Sequence, residues 1–294
     1  NAFTDRRFGG NQLAVFPDAR EIPADAMLDI TREFNYSETT FVLPPDDPKH
    51  TRRVRIFTPE REMPFAGHPS VGTAHVLSHC GESRRTGPTT RIVFEEVVGP
   101  VPVAIRAEGG KPVFAQLSVA KLPEVGPPPP PRDALAAMLS LAPNDLLTGE
   151  YAPQAVSCGL PFLFIPLKNR DAVGRARVKL DLLQHTLGGY WTQEVFVFAF
   201  DPERPTSDVR ARMFAPGLSV PEDPATGSAG AALGGYLALR GPTTNGTRRW
   251  VVEQGFEMGR PSILDVEADT RDGAVSAVRV GGSSVVVCDG IMEI

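Results

Sequence analysis

Cysteine is scarce in this chain, and the three present, Cys80, Cys158 and Cys288, stand far apart. No CxxC pair points to zinc, and three scattered thiols make no framework for a disulfide-stapled secreted domain, so the natural reading is a reducing, cytoplasmic setting. No apolar run approaches the ~20 residues that a membrane span needs. The opening "NAFTDRRFGG" has no apolar core of the signal-peptide kind. Positive charge is not in excess either. The net charge is -5, and the only basic cluster is the short "TRRVR" around Arg52 and Arg53. Binding to nucleic acid rests on neutralising phosphates, so that class of partner is disfavoured. The glycine-rich stretch "TGSAGAALGG" lacks the lysine of a phosphate-binding Walker loop. No G-x-G-x-x-G follows a first strand and no G-x-S-x-G elbow occurs, which disfavours dinucleotide redox chemistry and serine hydrolysis. The G-x-x-x-G spacing of Gly230 and Gly234 lies in a run too short for a membrane helix, ending at Arg240.

What is present is an ordinary globular composition, 41% hydrophobic and 22% charged, over 294 residues. That length suits two domains. A stretch with five consecutive prolines, "LPEVGPPPPPRD" from Leu122 to Asp133, divides the chain. Such a run cannot be helix or inner strand and favours stiff polyproline II. The expected organisation is therefore a first lobe over 1–121, a linker over 122–131 and a second lobe over 132–294, with the last strand free to cross back to the first lobe. Alternating β-branched residues and Gly/Pro punctuation predict strands at "QLAVF", "TTFVL", "RRVRIF", 91–96, 101–107 and 113–119 in the first part. In the second they predict strands at "LPFLFIPL", "EVFVFAF", "SDVRARMF", "RRWVVEQ", "SILDVEA", "SAVRV" and "SVVVC". Helices are expected over 24–34, 70–79, 133–141 and 225–239, with helical turns over 171–187.

The two parts repeat one another. "RIFTPEREMP" (Arg55 to Pro64) matches "RMFAPGLSVP" (Arg212 to Pro221), with Arg, Phe and both prolines at the same offsets. "AGHPSVG" from Ala66 aligns with "TGSAGAA" from Thr226, and upstream "ETTFVL" at Glu38 aligns with "EVFVFA" at Glu194. Three collinear matches indicate duplication, hence two similar α+β lobes with a cleft between them. Each copy ends in a helix without a charged face, "SVGTAHVLSH" and "ATGSAGAALGGYLAL", and such helices are normally buried. A sheet curled around a central helix is the economical picture; a helix on one flat sheet is the plainer one.

Candidate functional residues gather at these helix starts. Gly67 with His68, and Gly227 with Ser228, would present backbone N–H groups and a positive dipole end, suited to a carboxylate. Equally, the two glycines could relieve crowding at a strand-to-helix turn. Glu38, in "NYSETTFV", sits at the mouth of an apolar strand, where a carboxylate can act as a general acid or base or serve as an edge or cap residue. Asp223 precedes the second helix, where an N-cap is the bland alternative. His75 and His79 are four apart, but no H-E-x-x-H motif is present, and His68 lies about 16 Å from His79 at a helical rise, so no metal site is expected.

With these residues in view, "AFTDRRFGGNQLAVF", "NYSETTFV", "RIFTPEREMPFAGHPSVGTA", "MFAPGLSVPEDPATGSA" and "EMGRPSI" together resemble the PhzF-like (phenazine biosynthesis) isomerase family across essentially the whole chain. The family pattern has an aspartate before "AFT", where this chain starts at Asn1, so part of a first strand is expected to be missing. The resemblance implies the diaminopimelate-epimerase-like α+β fold, two pseudo-symmetric lobes each with a mixed or antiparallel sheet wrapped around a central helix. It implies a cofactor-free site and a homodimer, and the family's activity relocates a proton in trans-2,3-dihydro-3-hydroxyanthranilate. Carried over by motif, Glu38 is the catalytic carboxylate, while His68 and Asp223 orient the substrate. Gly67, Gly227 and Ser228 would hold its carboxylate, with Asn11 and Ser37 nearby. Related racemases use two facing thiols, but neither "FAGHPS" nor "EDPATGSA" contains cysteine. An isomerase of a small anionic metabolite is therefore expected, with an amino-acid epimerase or a non-catalytic binding protein of the same fold as alternatives.

Overall fold

A computed structural model describes residues 1–82, 87–218, 220–241 and 244–294. Ser219, inside the second repeat motif, lies outside the described residues. The chain forms two compact units, residues 1–120 with 280–294, and residues 121–279. No helix among the described residues is long and apolar enough to cross a membrane.

The first unit runs β1 (Leu13–Phe16), α1 (Ala26–Phe34), β2 (Glu38–Leu43), β3 (Arg52–Phe57), β4 (Glu62–Met63), α2 (Gly67–His79), β5 (Thr89–Glu96), β6 (Gly99–Glu108) and β7 (Lys111–Ser118). β1 and β2 are parallel, β2 and β3 antiparallel, β3 and β5 parallel, and β5–β6–β7 antiparallel. α2 starts three residues earlier than its apolar run suggests and packs against β1, β2, β6 and β7. This helix has no charged face because it has no wet face: only Val76 and His79 escape full burial. On the other side of the sheet α1 lays Met27 and Ile30 against Phe41 and Phe57. It stops at Asn35, whose φ of 51° is left-handed, a conformation asparagine tolerates better than most residues.

The second unit runs β8 (Glu124–Val125), α3 (Arg132–Met138), β9 (Gln154–Ser157), β10 (Pro161–Pro166), α4 (Arg170–Arg175), α5 (Leu180–Leu187), β11 (Val195–Ala199), β12 (Val209–Ala215), β13 (Val220–Asp223), α6 (Gly227–Ala238), β14 (Gly246–Gln254), β15 (Ser262–Arg271) and β16 (Ala274–Gly282). β10 and β11 are parallel, β11 and β12 antiparallel, β12 and β14 parallel, and β14 and β15 antiparallel. That is the order of orientations found from β1 to β6, so the repeat read in the sequence is a repeat of topology. The all-apolar runs of β10 and β11 follow from burial on both faces. Leu163, Ile165, Val195 and Val197 pack under α3, α4 and α5. Phe164 and Phe198 turn the other way onto Tyr236 of α6, at ring-centroid distances of 5.5 and 5.7 Å. Every residue of α6 is buried. A Cβ on Gly234 would lie 2.6 Å from Val266 Cγ1, so glycine here is a condition of close helix–sheet approach.

Two expectations are corrected. The proline-rich stretch is not purely a linker: Glu124–Val125 pair antiparallel with Ser157 and Val156 of β9. The pairing is possible because those two residues, unlike the prolines after them, keep their N–H groups. The run "SVVVC" is not a strand. Ser284 makes an isolated bridge with Ala2, and Val285 donates its N–H to the Asn1 carbonyl, but Val286 onward finds no ladder. β-Branched residues alone do not make a strand without an edge to join. The short strands β4, β9 and β13 were not foreseen, because two to four residues carry too little periodicity to show.

Candidate active site

In the first unit, β1, β2 and α2 bring together residues far apart in sequence. Glu38 opens β2 and His68 is the second residue of α2. His68 Nε2 lies 3.4 Å from Glu38 Oε2 and 3.3 Å from the Gln12 carbonyl oxygen. Its Nδ1 lies 3.2 Å from Asn11 Nδ2, and Ser37 Oγ donates to Asn11 Oδ1 at 2.9 Å. These contacts allow one assignment of hydrogens. Asn11 presents its carbonyl to Ser37 and so turns its amide N–H toward Nδ1, which must accept. The ring proton therefore sits on Nε2 and faces two acceptors, Gln12 O and Glu38. Burial of the ring pushes its pKa down to about 3, so His68 is neutral near pH 7. The 3.4 Å contact with Glu38 is thus one between a neutral imidazole and a carboxylate and not an ion pair.

Only one copy of the repeat carries this pair. Glu194, the sequence counterpart of Glu38, is tied into its own loop by the Thr192 hydroxyl and the Gln193 N–H. Ser228 stands where His68 stands in the first copy.

In the second unit, Asp223 ends β13 and Thr226 is the N-cap of α6. Thr226 Oγ1 donates to Asp223 Oδ2 at 2.5 Å, so this hydroxyl does not cap the helix behind it. Among the described residues no side chain caps α2 at Ala66 either. Neither N-cap residue, Ala66 nor Thr226, caps its helix with its own side chain, at the helix starts that carry Gly67 and Gly227–Ser228. Gln254, fully buried at the end of β14, holds the turn. Its Oε1 accepts the Thr226 N–H at 3.1 Å, and its Nε2 donates to the Asp223 carbonyl at 2.8 Å and to Thr226 Oγ1 at 3.0 Å. Because Gln254 donates to Thr226 Oγ1, the hydroxyl hydrogen is committed to Asp223. The sequence reading missed Gln254 and Thr226. The available signal was parity: Gln254 continues the buried face of Trp250 and Val252, where a polar side chain needs partners.

The thiols are placed differently. Cys158 is buried, its pKa pushed up to about 12 by desolvation, and its Sγ lies 3.9 Å from the Ala231 carbonyl. Cys80 is the exposed C-terminal cap of α2. A buried, neutral thiol and a surface thiol on a helix end are not the facing reactive pair of a two-thiol racemase.

The family description "Phenazine biosynthesis-like protein" (PhzC-PhzF) matches residues 1–290. An uncharacterized isomerase of Mesorhizobium japonicum is 40% identical over 99% of this chain and 96% of its own. The trans-2,3-dihydro-3-hydroxyanthranilate isomerase of Pseudomonas chlororaphis is 32% identical over 97% of this chain and 94% of its own. Among solved structures, a phenazine biosynthesis protein of the PhzF family from Bacillus anthracis superposes with a TM-score of 0.86 at 23% identity, covering 96% of this chain and 93% of that one. The fold is the mixed α+β fold of PhzF and diaminopimelate-epimerase-like proteins. The chain belongs to the PhzC-PhzF family and is a PhzF-family isomerase.

Proposed function

We propose that this isomerase relocates a proton within a small carboxylate-bearing metabolite, without a cofactor, and that Glu38 is the group that carries the proton. The observation that supports this most directly is the Glu38–His68 pair: a carboxylate only 16% exposed, held 3.4 Å from a neutral imidazole whose tautomer is set by Asn11 and Ser37. A carboxylate with little exposure, fixed beside a neutral imidazole, is positioned for proton transfer rather than solvated. Glu38 removes an acidified C–H proton and delivers it to a second carbon of the same molecule. In the same reading His68 orients Glu38, and Asp223, Gly67, Gly227 and Ser228, carried over by motif, are substrate-binding residues, with backbone N–H groups at the two helix starts of a kind suited to a carboxylate. Relatives named as trans-2,3-dihydro-3-hydroxyanthranilate isomerases make that compound the first to try. The same reading includes the homodimer implied by the family resemblance. Three unpaired cysteines support a reducing, cytoplasmic setting.

The test is proton NMR in deuterated water with trans-2,3-dihydro-3-hydroxyanthranilate and a panel of cyclic and unsaturated amino acids. The wild type should turn over at least one of them, and Glu38→Gln should lower the rate about 10²- to 10⁴-fold. Full activity in Glu38→Gln ends the carboxylate mechanism. Inversion at one carbon without double-bond movement would identify an epimerase. Thermal stabilisation by ligands that survives Glu38→Gln without any turnover would identify a binding protein.

A further inference from the structure

The duplicated halves share more than strand order. Arg55 forms a two-bond pair with Glu62, at 2.8 and 2.7 Å, with its guanidinium over Phe57. Arg212 forms the same pair with Glu222, at 2.8 and 2.8 Å, with its guanidinium over Phe214. On the next strand Glu95 accepts the N–H groups of Asp46 and Asp47, and Glu253 accepts those of Glu203 and Arg204. Glu95 is in register with Arg53 and Glu253 with Arg210. The residue after each glutamate is then also equivalent: Glu96 in the first unit and Gln254 in the second. Gln254 uses both faculties of a neutral amide, donating and accepting, to hold the turn before α6.

Glu96 is 8% exposed and meets α2 at Ser70. Ser70 Oγ lies 2.6 Å from Glu96 Oε1 and 2.7 Å from the Ala66 carbonyl oxygen. Serine has one hydroxyl hydrogen, and a carbonyl oxygen cannot donate. If Ser70 gives its hydrogen to Ala66, the contact with Glu96 needs a hydrogen from Glu96. If Ser70 gives it to Glu96 instead, two oxygens face each other at 2.7 Å with nothing between them. The other carboxyl oxygen, Oε2, is buried without a hydrogen-bond partner, a poor place for half of an anion. Charges near Glu96 are already matched. Arg53 is paired with Asp46, Arg55 with Glu62, and Glu95 with His50. Across the β5–β6 turn stand Gly99 and Pro100, without charge, and the titratable groups of α2 are His68, His75 and His79.

We propose that Glu96 is a neutral carboxylic acid, an acid in the place of Gln254's amide, and that as a positioning residue it donates its proton to Ser70 and so holds the start of α2 that carries His68. Burial raises its pKa to about 8, in agreement with the hydrogen count. The protonation stands on Ser70 and the repeat alone; its effect on catalysis rests on the Glu38–His68 reading.

The experiment is a carbon-13 titration of whole protein labelled at glutamate carboxyl carbons, with the Glu96 signal assigned by its loss in Glu96→Gln. One carboxyl signal should titrate near pH 8, and the His68 ring signals should move with the same midpoint in the wild type and stay still in Glu96→Gln. Glu96→Gln should fold, because an amide supplies the same donor and acceptor, while Glu96→Leu should lower thermal stability. Titration of Glu96 in the ordinary carboxylate range overturns the proposal, as does failure of Glu96→Gln to fold or a His68 ring indifferent to the titration. Where a substrate is turned over, the rate should fall above about pH 8 in the wild type and persist in Glu96→Gln; an unchanged alkaline limb removes the positioning role. Full activity in Glu38→Gln beside the expected titration would sink the Glu38 reading and leave this one standing.

Discussion

Replacing Gln254 with methionine changes almost no volume and removes every hydrogen bond the side chain makes. Three are lost: one accepted from the Thr226 N–H and two donated, to the Asp223 carbonyl and to Thr226 Oγ1. The site has no exposure, so water cannot enter to replace them. A buried amide N–H or carbonyl left without a partner costs about 1–3 kcal/mol. The Thr226 N–H is orphaned, the Asp223 carbonyl loses a donor, and the Thr226 hydroxyl loses one bond but keeps Asp223 as a partner. The expected loss is therefore about 3–5 kcal/mol, or roughly 10 °C in Tm for a unit of this size. Urea unfolding followed by tryptophan fluorescence reports it, since Trp250 lies four residues away on the same buried face of the strand. Gln254→Glu is the matching control: it should approach wild-type stability at low pH, where the acid is protonated, and fall behind as pH rises. A Gln254→Met midpoint within about 1 kcal/mol of the wild type would refute the reasoning, because it would mean that the turn satisfies its own backbone without this side chain.

Other perturbations separate buried from half-buried interactions. Arg212→Met leaves Glu222 unpaired and vacates the carbonyls of Val173 and Ala176, and should cost about 3–5 kcal/mol. Arg55→Met breaks the equivalent pair in a wetter place, 24% and 31% exposed, and should cost about 1 kcal/mol; equal losses on denaturation would contradict this. Gly234→Ala drives a Cβ toward Val266 Cγ1 and should lower stability by about 1–3 kcal/mol, although alanine is the better helix former. His68, with its pKa lowered from 6.5 to about 3, binds a proton in the unfolded chain before it does in the fold. Its contribution to stability is complete above pH 6.5 and is lost as pH falls toward 3, by up to about 1.4 kcal/mol per unit. Tm should therefore drop less steeply between pH 6.5 and 4 in His68→Gln than in the wild type.

Much of this molecule is legible before any fold is known. The paired motifs at Arg55 and Arg212 announce the duplication, because each needs an arginine two residues before a phenylalanine on a strand. The uncharged helices at Gly67 and Gly227 announce burial, because no face of either could meet water. Local pattern fails where the partner decides. "SVVVC" has strand composition and no ladder. Glu124–Val125, beside five prolines, pairs because β9 offers an edge. The same limit governs the site. The sequence singles out Glu38, His68 and Asp223 as chemistry-bearing residues at element ends, and its motifs place the chain in its family. Only the tertiary structure sets their states: burial makes His68 neutral, Asn11 chooses its tautomer, and Gln254 commits the Thr226 hydroxyl to Asp223. Residue type is written in the chain, but a proton's position depends on which acceptors and donors stand within about 3 Å, and those come from strands and helices distant in sequence.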